Sequence, residues 1–244
     1  MQIIKNSINF NVIPNQIFNQ NDLWFGGTIA FWEEFMSERE EDTKIMSRYL
    51  SKDYSYLDIG AWIGSTVLYG SQMAKKCYAF EPDPIAFKIL ENNILANPNI
   101  TNIKSYSKAI ADHTGKIQIG SNTNMGDSMS SILFNKNALC VDCVSLNTFF
   151  KDEDIQDCNF IKMDIEGGEF SVLPASKDFL QQIKPTLYLS LHTPWFSDKK
   201  LFLETIMDSI SFYKNIYSST GQLLKYNDIL SLSGFTSIIA TNKD

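Results

Sequence analysis

From residue 55 onward the chain alternates short apolar runs with stretches of helical periodicity, and the first run breaks on glycines: Tyr56-Leu-Asp-Ile59 is followed by Gly60-Ala-Trp-Ile-Gly64. Short apolar strands separated by helices build a parallel sheet covered on both faces, because each strand must bury both of its sides and each crossover must return the chain to the same edge. The pattern predicts strands at 56–59, 77–80, 103–106, 116–120, 160–163 and 186–191, with helices over 66–74 and 84–96. A Gly-interrupted strand pair over 231–241 closes the chain. The first 50 residues read differently: 1–20 as a hairpin or irregular arm, and 28–50 as helix, with a charged break or solvated face at 37–42. Ligands of such sheets bind beyond the carboxyl ends of the strands, so the residues just after each strand carry the functional argument.

After the first strand, Gly60 can adopt a backbone angle closed to other residues, Gly64 allows the next helix to pack closely, and Ser65 or Thr66 can cap that helix. Asp58, Gly60, Ala61, Trp62, Gly64 and Ser65 thus form a candidate ligand loop with free backbone N–H groups beside a carboxylate. A dinucleotide loop would read G-x-G-x-x-G, whereas here Asp58 replaces the first glycine and the spacing is G-x-x-x-G. Paired glycines that serve packing alone are the competing reading. The second strand ends in Glu81-Pro82, where a carboxylate accepts hydrogen bonds from both hydroxyls of a ribose. The competing role of helix N-cap suits Asp83 better. The two strand ends together point to a nucleoside cofactor, and the missing glycine favours S-adenosylmethionine (SAM). Ala109, after the third strand, leaves room for an adenine ring or belongs to a plain turn.

The most unusual stretch is Phe160-Ile-Lys-Met-Asp-Ile-Glu-Gly-Gly-Glu169, where Lys162, Asp164 and Glu166 alternate with apolar residues in a strand that its neighbours mark as buried. In an extended chain the three charges share one face, and burying them is costly unless they pair or bind something. An edge strand with a solvated face is the alternative.

These segments resemble the FkbM-type SAM-dependent methyltransferases. The resemblance rests on Leu57 to Gly64, Ala79-Phe-Glu-Pro82 and Ile161 to Glu169, with related segments at Ser128–Ser131, Val144–Asn147 and Leu189–His192. Asn147 stands where the family usually has Asp. The resemblance implies a Rossmann-like α/β fold: a seven-stranded, mostly parallel sheet with one antiparallel strand and helices on both faces. It also implies O-methylation of a hydroxyl on a sugar, glycan or natural product. Residues 51–244 would form the methyltransferase domain and 1–50 an arm and helix covering its site. His192, at the end of a strand and with an ordinary pKa near about 6.5, is the expected base. Asp164 is expected to orient the acceptor, contact the cofactor or hold a divalent metal with a neighbour. Trp24-Phe25 and Trp195-Phe196 are candidate sugar platforms, and 121–131 a candidate mobile loop over the site.

Charge and composition narrow the partners. A net charge of −7 gives no long-range pull toward nucleic acid or anionic lipid, so a small-molecule or glycan acceptor is expected. Cys140 and Cys143 have metal-ligand spacing but lack a second ligand pair. No apolar run approaches the roughly 18 residues of a membrane span. Four cysteines without a recognisable signal peptide suggest a reducing, cytoplasmic setting. The rival readings are a nicotinamide oxidoreductase, a nucleic-acid methyltransferase, and a catalytically silent SAM-fold binding protein.

Overall fold

The computed structural model describes residues 1–14, 28–38 and 40–243. In chain order its elements are β1 (Gln2–Lys5), β2 (Ile8–Asn11), α1 (Thr28–Ser37), α2 (Glu40–Tyr49), β3 (Ser55–Ile59), α3 (Ser65–Ser71), β4 (Lys76–Phe80), α4 (Pro84–Leu95), β5 (Ile103–Tyr106), β6 (Ala109–Ile110), β7 (Gly115–Ile119), β8 (Leu139–Val144) and α5 (Leu146–Asp152). There follow β9 (Cys158–Met163), α6 (Glu169–Ile183), β10 (Thr186–His192), α7 (Lys199–Ser209), β11 (Asn215–Ser218), α8 (Tyr226–Leu230) and β12 (Phe235–Thr241). The main sheet has seven strands in the order β11-β12-β10-β9-β3-β4-β5. All run parallel except β12, which pairs antiparallel with both β10 and β11. The β1–β2 hairpin stands apart, as does a small sheet β6-β8-β7.

Strand alternation divides the core in two. Leu57, Ile59, Phe80, Ile161, Met163 and Leu189 point to the face covered by α5, α6 and α7. Tyr56, Ala79, Phe160 and Tyr188 point to the other, where they join Trp32, Phe35 and Met46 of α1 and α2. The N-terminal helices are therefore built into the same core as the sheet. They are separated between Ser37 and Glu40, within the charged stretch. Asn6 and Ser7, both with positive φ, make the tight turn of the hairpin.

Two local expectations are corrected. Residues 231–241 hold one strand, not a pair: Ser231 closes α8, Gly234 turns at φ +78, and the hairpin partner of β12 is β11, which lies earlier in the chain. The cap of α3 is Gly64 in a left-handed conformation with no side-chain bond, because the Thr66 hydroxyl is turned to Asp58. Asp83, as expected, caps α4 by accepting from the N–H groups of Ile85 and Ala86.

Candidate active site

A cavity of about 650 Å³ opens at the carboxyl ends of β3, β4, β9 and β10. Its walls include Gly60, Ala61, Trp62, Ser65, Glu81, Pro82, Ala109, Asp164 and His192 among the residues singled out from the sequence. Asp58 and Gly64 are not part of the wall.

Asp58 is fully buried and used internally: its Oδ2 accepts from the Thr66 hydroxyl at 2.6 Å, and its Oδ1 lies 3.4 Å from Lys162 Nζ. Asp58 and Lys162 are direct neighbours on β3 and β9, so the pair is a cross-strand bridge inside the sheet. Burial pushes the Asp58 carboxyl up, with Lys162 and Thr66 opposing it. Burial acts to lower the Lys162 ammonium, but Asp58 and Asp164 outweigh it and hold it above its ordinary range. Lys162 also donates to the Gly60 carbonyl at 3.2 Å. The expected direct contact of Asp58 with a ligand is thereby replaced by a supporting role under the glycine loop.

That loop is tightly tied. The N–H groups of Gly60 and Ala61 both donate to Phe80 O, that of Trp62 to Glu81 Oε2, and that of Gly64 to Ala61 O. They are not free for a ligand, contrary to the expectation from sequence. Gly60, at φ +82, lies so near the end of β9 that a Cβ would sit 1.9 Å from the Asp164 carbonyl oxygen. Its glycine is required by chain-to-chain contact between two strand ends.

Glu81 ends β4 with one carboxylate oxygen accepting from Trp62 N at 2.9 Å and the other from Asp83 N at 2.8 Å. Each oxygen keeps a second lone pair, and the side chain borders the cavity. Burial pushes this carboxyl up to about 8, against the pull of those N–H groups. Asp83 has a second task beyond its cap: its Oδ2 accepts from Gly126 N and from the Ser130 hydroxyl. Trp62 Nε1 donates to Gly126 O at 3.0 Å. The 121–131 segment therefore lies over the site latched at both the glycine loop and the α4 cap. Ser131 continues the latch by donating to Glu166 O.

On the opposite wall, Asp164, Glu166 and Glu169 converge on His192. His192 Nε2 lies 3.5 Å from Asp164 Oδ1 and 3.3 Å from Glu166 Oε1, and its Nδ1 lies 3.7 Å from Glu169 Oε1. Glu166 sits at φ +54 and takes the Trp195 Nε1–H on its other oxygen at 2.9 Å. Glu169 Oε1 accepts from Ile165 N. Burial alone would lower the imidazole, but the carboxylates of Glu166, Glu169 and Asp164 outweigh it and raise it to about 10. These carboxylates hold the ring's proton more firmly than water does in a free imidazole.

The aromatic candidates separate. Phe196 stacks on Phe202 at 4.2 Å and belongs to the core, while Trp195 packs edge-on against Phe134 and Phe235. Trp24 and Phe25 lie outside the described residues. Asn147 is exposed in the first turn of α5, so the carboxylate absent there leaves the cavity unchanged. Phe235, Thr236 and Ser237 line the cavity and were not anticipated. They begin β12, and an antiparallel strand brings its start, not its end, to the site; Phe235 pairs directly with His192. From the N-terminal helices, Phe31, Glu34 and Asp42 complete the wall.

A family model described as the methyltransferase FkbM domain matches residues 58–218. The chain belongs to the FkbM methyltransferase family. Its mostly parallel seven-stranded sheet, flanked by helices, is the Rossmann-like sheet of methyltransferases. Among solved structures it is similar to methyltransferase FkbM from Methylobacillus flagellatus KT, with 20% identity and a TM-score of 0.50 over 78% of this chain and 44% of that one. This chain therefore spans less than half of that protein. It is also similar to a SAM-dependent O-methyltransferase from Thermotoga maritima, with 8% identity and a TM-score of 0.49 over 84% of this chain and 66% of that one. No curated protein matches the chain. Among the described residues, no helix is long and apolar enough to cross a membrane.

Proposed function

We propose that this FkbM methyltransferase transfers the methyl group to a hydroxyl of a sugar, glycan or other polyhydroxylated small molecule. The observation that carries the reading is the convergence, on one cavity, of Glu81 on the β4 side with Asp164 and His192 on the facing wall. The cavity volume falls within the about 300–1,000 Å³ of small-molecule sites. SAM, when bound, supplies an electrophilic methyl on a sulfonium and departs as S-adenosylhomocysteine. Glu81 is the ribose ligand, Gly60, Ala61, Trp62, Ser65 and Pro82 shape the adjoining wall, and Ala109 borders the adenine.

Methyl transfer is an in-line displacement, so the protein's main task is alignment. The acceptor's O–H bond must break as its C–O bond forms. The oxygen becomes strongly acidic at that point, so a carboxylate suffices as base. Asp164 holds that place, with His192 beside it fixing its orientation. Phe235, 65% exposed at the cavity, and Trp195 offer apolar faces to a sugar ring. From α1 and α2, Phe31, Glu34 and Asp42 close the acceptor side. The carboxylates of Glu34, Asp42 and Glu166 on that wall disfavour a polyphosphate backbone, which favours a small neutral acceptor over nucleic acid.

The test is transfer of labelled methyl from SAM to a panel of monosaccharides, glycosides and polyphenols, with RNA and amines as comparison acceptors. Ether products on a sugar or polyol support the reading. Product on RNA or amines alone, or SAM binding without turnover on any acceptor, would reject it.

A further inference from the structure

The cluster at the ends of β9 and β10 has the form of a cation site. Among the described residues it is where three groups able to ligate a metal come together: one atom each from Asp164, Glu166 and His192, all within 4.8 Å of one another. The Nε2 separations from Asp164 Oδ1 and Glu166 Oε1, 3.5 and 3.3 Å, exceed the about 2.7–2.9 Å of a charge-assisted hydrogen bond. They are close to the spacing of about 3.0–3.4 Å between neighbouring ligands set about 2.1 Å from one ion.

The supporting groups follow the same logic. His192 is 5% exposed, and its Nδ1 makes no hydrogen bond. Glu169, fully buried and with an Oε2 that also lacks a hydrogen bond, faces that nitrogen. A carboxylate behind the imidazole is the usual means of orienting a metal-bound histidine. Glu166 is turned inward by its left-handed backbone and clamped by Trp195, which leaves Oε1 to the cluster. Among the described residues, the four carboxylates of Asp58, Asp164, Glu166 and Glu169 face two basic side chains, Lys162 and His192.

We propose that Asp164, Glu166 and His192 bind a divalent cation of the manganese or iron class, with Glu169 orienting the histidine. One imidazole with two carboxylates suits these ions better than magnesium or calcium, which prefer oxygen alone. Three protein ligands leave coordination positions open toward the cavity, where two adjacent hydroxyls of an acceptor can bind. This last role rests on the methyltransferase reading above; the cation site itself does not.

The experiment titrates Mn2+ alone into the chelator-stripped full chain without SAM, followed by electron paramagnetic resonance and by melting temperature. One ion per chain is expected, with a nitrogen coupling in the pulsed spectrum. His192→Ala should remove that coupling, Glu166→Gln should weaken binding at least about tenfold, and Glu169→Gln should weaken it about tenfold. Asp127→Asn, a cavity-wall change outside the cluster, should leave Mn2+ affinity unaltered. Absence of a nitrogen coupling in the unaltered protein, which needs no variant to fold, would overturn the proposal. So would Mn2+ affinity indifferent to Glu166→Gln. Calorimetry of SAM with the stripped protein separates the two readings. SAM binding without Mn2+ binding rejects the cation site alone, and Mn2+ binding without SAM binding rejects the cofactor assignment alone.

Discussion

Asp58 and Glu81 end neighbouring strands and differ in what each carboxylate still has to offer. Both oxygens of Asp58 are engaged with Thr66 and Lys162 behind the glycine loop. Those of Glu81 accept one backbone N–H each and still face the cavity. Replacing each residue should therefore change a different quantity. Glu81→Gln should weaken SAM binding by about tenfold to a hundredfold above pH 8, where the folded carboxyl is ionised and a charged acceptor worth about 1.5–3 kcal/mol is lost, with little change in unfolding free energy at about pH 4. Calorimetry and denaturant titration together check this. Asp58→Ala leaves Lys162 charged and without its buried partner, at a cost of about 3–5 kcal/mol. Denaturant unfolding would show it, and Asp58→Leu combined with Lys162→Met should recover most of the loss.

At the scale of elements, the 121–131 segment is where sequence and structure part most usefully. Its Ser, Asn and Met content suggests a loop over the site, and the structure places it there, but with three ties: Asp83, Trp62 and the Glu166 carbonyl. Asp83 divides its labour by oxygen, Oδ1 for the α4 cap and Oδ2 for the loop. Asp83→Asn can retain the cap but loses one charged acceptor. Faster amide exchange confined to 121–131 is the expected result, with a stability loss of about 1–2 kcal/mol. Exchange unchanged in that segment would show that the latch does not hold it. The strand β12 shows the opposite limit. Its apolar run is legible, yet its antiparallel sense, which brings Phe235 beside His192, depends on which edge it joins.

For the whole molecule, the sheet forces charges together that a solvated chain would keep apart, and stability should depend on pH accordingly. Glu81 ionises near its ordinary value of 4.5 when unfolded but only at about 8 when folded. Between those values the folded state keeps a proton that the unfolded state has released. Stability from this group is therefore greatest below about 4.5 and is lost progressively as pH rises to about 8. Glu81→Gln should remove that component of the slope. Unfolding free energies at pH 5 and 8 for the two proteins check it, and identical slopes would contradict the assignment of the raised carboxyl to Glu81.

The apolar periodicity, the glycine spacing of 60–64 and the charged segment 162–169 determined the α/β class, the FkbM family and the strand ends that form the site, because these depend on residues near one another in the chain. Capping by Asp83 was equally legible, being a bond across two or three residues. What only the tertiary structure decided are relations across the sheet. It turned Asp58 inward to Lys162, occupied the loop N–H groups with Phe80 and Glu81, surrounded His192 with three carboxylates, and brought the start of β12 to the cavity. Electrostatics and hydrogen bonding act through space, so the state of a buried charge follows from its neighbours in the fold and not from its own position in the chain.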